Sequence, residues 1–295
     1  MNRYLGIFAV ILVSLLWGTT GTAATFAPTL SPLFIGAFAM GIGGILQCGF
    51  AIPNINQELT SLRSHYRYLI LGALAVAVYP LAFYSSMRLS GVSIGTVVSI
   101  GSAPILSAII EYLSRDFKFT KQWVIGALLG ITGMTILAFS GNETTQYNYL
   151  SLGILLGSVA GFTYALYSWS ARQLMLKGIS SKAAMGAIFG CGGILLIPVM
   201  VTTGSIFFST WNNIAVGVYM ALIPMFLGYL CYGYGLSKIS ASMAITITLL
   251  EPAIATILAI LIVGENLSLI GWGGILLIFI CLVMVISSSL NKKFT

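Results

Sequence analysis

Ile245–Ile260 reads ITITLLEPAIATILAI, which sets one acid, Glu251, and one proline, Pro252, in the middle of a run otherwise apolar enough to cross a membrane. The rest of the chain decides whether that run lies in a soluble core or in lipid. Of 295 residues, 58% are hydrophobic and 6% charged, against about a quarter charged in an ordinary soluble domain. A water-facing surface cannot be built from so few charges, so the chain reads as an integral membrane protein. A span needs about 20 mainly apolar residues. Ten windows qualify, at about 5–25, 31–52, 68–87, 92–113 and 122–139, then 149–171, 181–202, 213–235, 240–263 and 269–288. Little sequence is left over for a soluble domain.

The net charge of +7 does not mark a nucleic-acid binder, because its 13 Lys and Arg lie in short turns and form no continuous basic face. They report orientation instead. With the N-terminus cytoplasmic, Arg3, Arg63, Arg67, Arg115, Lys118, Lys121, Arg172, Lys177, Lys182, Lys292 and Lys293 are assigned to the inner side, and Arg88 and Lys238 to the outer. That asymmetry fits positive-inside insertion in a cytoplasmic (inner) membrane with both termini inside. The first span resembles a signal peptide in its Arg3 and apolar run, but Trp17, Gly18, Thr19 and Thr20 interrupt it late, so it is expected to be retained. Cys48, Cys191, Cys231 and Cys281 lack metal-site or redox spacing and read as packing residues, and His65 reads as a solvated turn residue. No cofactor and no metal is expected.

The sequence repeats itself. Gly41–Leu46 (GIGGIL) matches Gly190–Leu195 (GCGGIL) at five of six positions, Pro104 falls on Pro252, and Ser14, Leu16, Trp17 and Gly18 align with Gly161, Thr163, Tyr164 and Ala165, all at offsets of about 148 residues. A repeat of residues 1–140 and 149–290, joined by an extracytoplasmic loop 141–148, gives five spans per half. An odd number forces the second copy to insert upside down. Inverted repeats of this kind underlie alternating access in secondary transporters, around a site near the bilayer midplane. The expected fold is therefore all-α: ten transmembrane helices in two inverted five-helix repeats.

Ten spans in two halves, the Trp17-Gly18 pair, the small-residue second and seventh spans, and Leu250-Glu251-Pro252 leading to Gly264-Glu265 resemble the EamA-type members of the drug/metabolite transporter superfamily. The first half departs from the pattern, with Ala103 before Pro104 and Asp116-Phe117 in place of Gly264-Glu265. The resemblance implies a central cavity lined by spans 1, 3, 4, 6, 8 and 9, with 5 and 10 at the periphery. Span 5 carries Gly126, Gly130 and Gly133, a ridge suited to close helix approach.

Helical spacing puts several polar and aromatic pairs on shared faces: Tyr79 and Phe83, Tyr164 and Tyr167, Tyr229 and Tyr232, Ser99 and Ser102, and Thr248 and Glu251. With Trp17 these form a candidate substrate-binding box. Tyr84, Trp169 and Tyr234, nearer span ends, read as interfacial anchors. A mid-span acid costs about 2.5–3.5 kcal/mol to insert, so Glu251 is either a protonated acid hydrogen-bonded to a neighbouring helix or a cavity residue that pairs with a cation or exchanges a coupling proton. Glu111 reads as an i,i+4 partner of Arg115.

No Gly-x-x-x-x-Gly-Lys-Ser/Thr string is present to grip a nucleotide, so transport would be secondary. The spans contain no histidine, which argues against a membrane-embedded enzyme. The expected partners are the lipid bilayer and a small-molecule substrate, with the protein a monomer or weak homodimer, and with proton exchange at Glu251 and simple facilitated flux both open as the driving mode. Two substrate classes stay open: an amino acid or amine, or an organic cation held by aromatic rings with Glu251 as counter-charge.

Overall fold

The computed structural model describes residues 2–114, 120–140, 149–264 and 266–291. Ten long apolar helices follow one another: α1 (Arg3–Thr25), α2 (Pro32–Gln57), α3 (Tyr66–Ser90), α4 (Val92–Leu113), α5 (Lys121–Ala138), α6 (Leu150–Leu176), α7 (Ser181–Thr203), α8 (Trp211–Leu236), α9 (Ala241–Val263) and α10 (Leu269–Ser287). The starts of five are written locally. The hydroxyls of Ser31, Thr120, Ser180, Thr210 and Ser240 each accept the N–H three residues on, and Pro32 opens α2 where no N–H is needed.

Two helices are irregular, and both lie where the fold needs polar backbone. α8 widens into a π segment over Ala221–Leu227. There the Gly228 N–H reaches the Ile223 carbonyl, leaving the carbonyl of Pro224 free for another donor. α9 is broken. Its first piece, Ala241–Ile247, stops at Thr248–Leu249, and its second runs over Leu250–Leu258 before a π turn and a left-handed Gly264. Pro252 supplies no N–H to the Thr248 carbonyl, which accepts from Glu251 N at 2.9 Å in a tighter turn. The break thus falls immediately before the acid.

Counterpart helices cross in opposite directions. On α2 and α7, Phe34 lies by Gly204, Gly44 by Phe189 and Ala51 by Gly186. The matched stretches 41–46 and 190–195 are this crossing, and small residues are required there: a Cβ on Gly193 would come within 2.5 Å of the Gly41 carbonyl oxygen. α5 and α10 cross likewise, Gly126 by Val285 and Gly133 by Gly274, with Cys281 packed on Gly130. Contacts also swap between halves, since α3 and α4 pack on α6 as α8 and α9 pack on α1.

Lys238 needs correcting. Its Cβ packs beside Gly6 near the start of α1, which puts it at the same end of the molecule as Arg3 and opposite Arg88. α8 is the eighth crossing, an even number, so its end returns to the side on which α1 begins. The proposed Glu111–Arg115 pair falls on Arg115, outside the described residues. Glu111, 2% exposed, accepts from Ala241 N at 2.8 Å and Ser242 N at 3.1 Å, capping α9 across the two halves.

Candidate functional site

A cavity of about 560 Å³ occupies the half of the molecule where α1 ends and α2 begins. Its wall comes from Trp17, Thr20 and Gly21 of α1, the 27–32 turn, Ile35 of α2, Phe83, Tyr84 and Met87 of α3, Ser93, Thr96 and Ile100 of α4, and Met134 and Leu137 of α5. Met220 of α8 and Glu251, Pro252, Ala255 and Thr256 of α9 complete it. α5 therefore lines the cavity although the resemblance put it at the periphery, and α6 contributes no lining residue. Close packing explains the second point: Gly157 sits against Ser86 and Val98, and Gly161 against Ser102 and the Ser99 carbonyl. This seals α6 behind α3 and α4.

Of the candidate box, Trp17, Phe83 and Glu251 reach the cavity. Tyr79, Tyr164, Tyr167, Tyr229, Tyr232, Ser99, Ser102 and Thr248 do not. Most of these join Trp17 in an aromatic plug. The Trp17 ring lies 4.9 Å from Tyr229, 5.3 Å from Tyr232 and 6.3 Å from Tyr164, centroid to centroid, and Tyr79 lies 5.6 Å from Tyr164 and 5.8 Å from Tyr167. The hydroxyls satisfy one another: Tyr167 with Tyr229 at 2.9 Å, Tyr164 with Thr248 at 2.8 Å, and Tyr232 with Ser168 at 2.9 Å. Tyr167 and Tyr232 are completely buried. Buried phenols that have found partners are stable packing, so the plug closes the molecule beneath the cavity. Ser99 is fully buried with its hydroxyl unpartnered, and Ser102 is half-buried.

The plug and the cavity meet at Trp17. Its ring is 5% exposed and its Nε1–H donates to the Pro224 carbonyl at 3.0 Å, the group freed by the π segment of α8. Gln47 Nε2 donates to the adjacent Met225 carbonyl at 3.3 Å. Below the plug, the first piece of α9 is buried at all seven positions, with Glu111 on its first two N–H groups. Glu58 accepts from Ser180 N at 2.8 Å at the same end, again joining the halves.

Glu251 stands at the first turn of the second piece of α9, half-buried, and its carboxylate has no hydrogen bond or ion pair among the described residues. An acid placed on a cavity wall without an internal partner is available to a ligand or a proton. Tyr84 is the residue the sequence misplaced: it lines the cavity rather than the interface, its ring seated on Gly36 of α2 and 5.2 Å from Phe83. The nearby Gly36 was the available signal, but only packing connects the two. A second pocket of about 470 Å³ lies between α1, α8 and α9, with Thr19 and Tyr219 hydrogen-bonded at 2.7 Å in its wall.

The EamA-like transporter family matches the chain twice, over residues 4–139 and 151–287. The uncharacterized transporter YwfM of Bacillus subtilis (strain 168) is 30% identical over 97% of this chain and 95% of its own length. The threonine/homoserine exporter RhtA of Salmonella typhimurium (strain SL1344) is 21% identical over 100% of this chain and 94% of its own. A probable terminal-alkyne amino-acid exporter of Streptantibioticus cattleyicolor is 21% identical over 84% and 85%.

Proposed function

The chain belongs to the EamA-like transporter family, and from that premise we propose that it is a secondary transporter moving a small metabolite of the amino acid or amine class by alternating access. It is a multi-pass membrane transporter of a small molecule. The observation that carries the finer reading is Glu251: an acid with no partner among the described residues, on a cavity wall it shares with Trp17, whose ring packs on Tyr229 of the plug. A site open on one side and shut on the other is what one state of an alternating-access cycle requires.

The two five-helix halves are inverted copies in this reading, which the opposed crossings of α2 with α7 and α5 with α10 support. They rock about the Glu251 level, so that the plug opens as the cavity closes. The amino-group preference draws on the two amino-acid exporters among the relatives. The protein sits in the cytoplasmic membrane with both termini inside, and the cavity then faces outward. Glu251 serves as the proton site as well as the ammonium partner. A bulky quaternary cation is the second reading, favoured by the lone acid, but it would meet only Trp17, Phe83 and Tyr84 as aromatic walls.

Proteoliposomes test the coupling role. Glu251→Gln is expected to abolish pH-driven accumulation while leaving counterflow exchange intact. Accumulation at the wild-type level in that variant would remove Glu251 from coupling.

A further inference from the structure

Among its described lining residues the cavity carries one carboxylate and no basic side chain, and from this we infer that the substrate is a primary or secondary ammonium compound without a free carboxylate. The inference rests on the transport reading above and narrows the class of molecule carried.

The wall's polar groups bear this out one by one. Among the described lining residues Trp17 alone carries an indole N–H, and it is committed to the Pro224 carbonyl at 3.0 Å. The Thr20 hydroxyl donates to the Trp17 carbonyl at 2.7 Å, and the Thr256 hydroxyl to the Pro252 carbonyl at 2.9 Å. A hydroxyl has one proton, so both threonines turn lone pairs, not donors, toward the cavity. Thr96 donates to the Met87 sulfur at 3.5 Å. Glu251 is the only charged side chain among the described lining residues, and Met87, Met134 and Met220 add weak sulfur acceptors. Tyr84 and Ser93 complete the polar groups, and the Tyr84 hydroxyl, with no hydrogen bond among the described residues, is a neutral donor left to a ligand. Arg88, one residue beyond Met87, is absent from the lining.

A carboxylate brought into this site would exchange its water donors for a neutral hydroxyl such as that of Tyr84, with no cation to meet and a like charge on Glu251. A zwitterionic amino acid is therefore half matched: its ammonium suits Glu251 and its carboxylate suits nothing with a positive charge. A primary or secondary ammonium is matched throughout. Its charge meets Glu251, its face meets Trp17 and Phe83, and its several N–H groups can reach the threonine oxygens. A quaternary ammonium has no N–H to give, so it would leave those acceptors dry and unpaired. The tyrosines that could have caged it are paired within the plug, Tyr167 with Tyr229, Tyr164 with Thr248 and Tyr232 with Ser168.

Two matched series separate these cases in the full-length protein. One is phenethylamine, phenylalanine and trimethylphenethylammonium; the other is butylamine, norvaline and butyltrimethylammonium. Binding is read by ligand-dependent thermal stabilisation and transport by counterflow in proteoliposomes. Within a series the amine should bind roughly tenfold or more tightly than either relative, the scale of one buried polar group left unpaired. Thr256→Val should narrow the gap between amine and quaternary cation, and Glu251→Gln should lower amine affinity. An amino acid that binds as well as its decarboxylated amine overturns the inference while leaving amino-group transport standing. A quaternary cation that matches the amine overturns it in favour of the second reading. If no member of either series binds or moves, the inference and the amino-group reading fall together.

Discussion

Trp17 holds the junction between cavity and plug through two separable contacts, its ring packing and its indole N–H. Trp17→Phe keeps a ring against Tyr229 and Tyr232 but leaves the buried Pro224 carbonyl without its donor. An unsatisfied buried acceptor costs about 1–3 kcal/mol, so the variant should unfold at a lower temperature in detergent while retaining substrate selectivity. Trp17→Ala also strips the aromatic wall, and binding of a cationic substrate should fall by about 2 kcal/mol, a desolvated cation–π contact. Unchanged affinity there would take the ring out of the site. Glu251 and Trp17 were legible in the sequence because an acid in mid-span is expensive and therefore conspicuous. The tyrosines were legible as a group sharing faces, but face-sharing on separate helices does not say whether hydroxyls point at a ligand or at one another. Here Tyr167 meets Tyr229 and Tyr164 meets Thr248.

The crossing of α2 and α7 depends on absent side chains, and its two faces make a controlled comparison. A Cβ on Gly44 would run into the Phe189 carbonyl, whereas one on Gly49, less than two turns along the same helix, meets nothing within 4 Å. Gly44→Ala should therefore destabilise by about 1–3 kcal/mol through overpacking. Gly49→Ala should be neutral or stabilising by up to about 1 kcal/mol, the helix-propensity gain. Melting temperatures of the pair in one detergent check both, and a destabilised Gly49→Ala would mean that lipid-facing space is not open. At this scale the sequence was a good guide to spans, since apolar length alone marks them. It was a poor guide to the interruptions. Pro252 announced a disturbance in α9, yet Pro104 occupies the corresponding place in α4 and that helix is unbroken from Val92 to Leu113. At the break in α9 the Thr248 hydroxyl is paired with Tyr164, whereas the corresponding residue of α4, Ile100, has no hydroxyl to pair.

At the end opposite the cavity, Glu111 and Glu58 tie the two halves of the chain together. At the offset that relates Pro104 to Pro252, Glu111 falls on Ala259, so the carboxylate capping α9 has no counterpart at the cavity end. Glu111→Ala removes that cap and should bias the protein toward opening at the plugged end. A cysteine probe at Ala244, fully buried in the first piece of α9, reads this directly. Ala244→Cys should resist alkylation alone and react several-fold faster in combination with Glu111→Ala; equal rates would make the cap a purely local stabiliser. The sequence by itself determined the solvent and the number of spans, because lipid demands long apolar helices, and its residues matched at a fixed offset are what the proposal of two inverted halves rests on. Only the tertiary structure decided which aromatic rings face the cavity, that α5 rather than α6 lines it, and that Glu111 ties α4 to α9. Those outcomes depend on where helices touch, and that is settled by close packing at glycines and by which buried polar groups find each other.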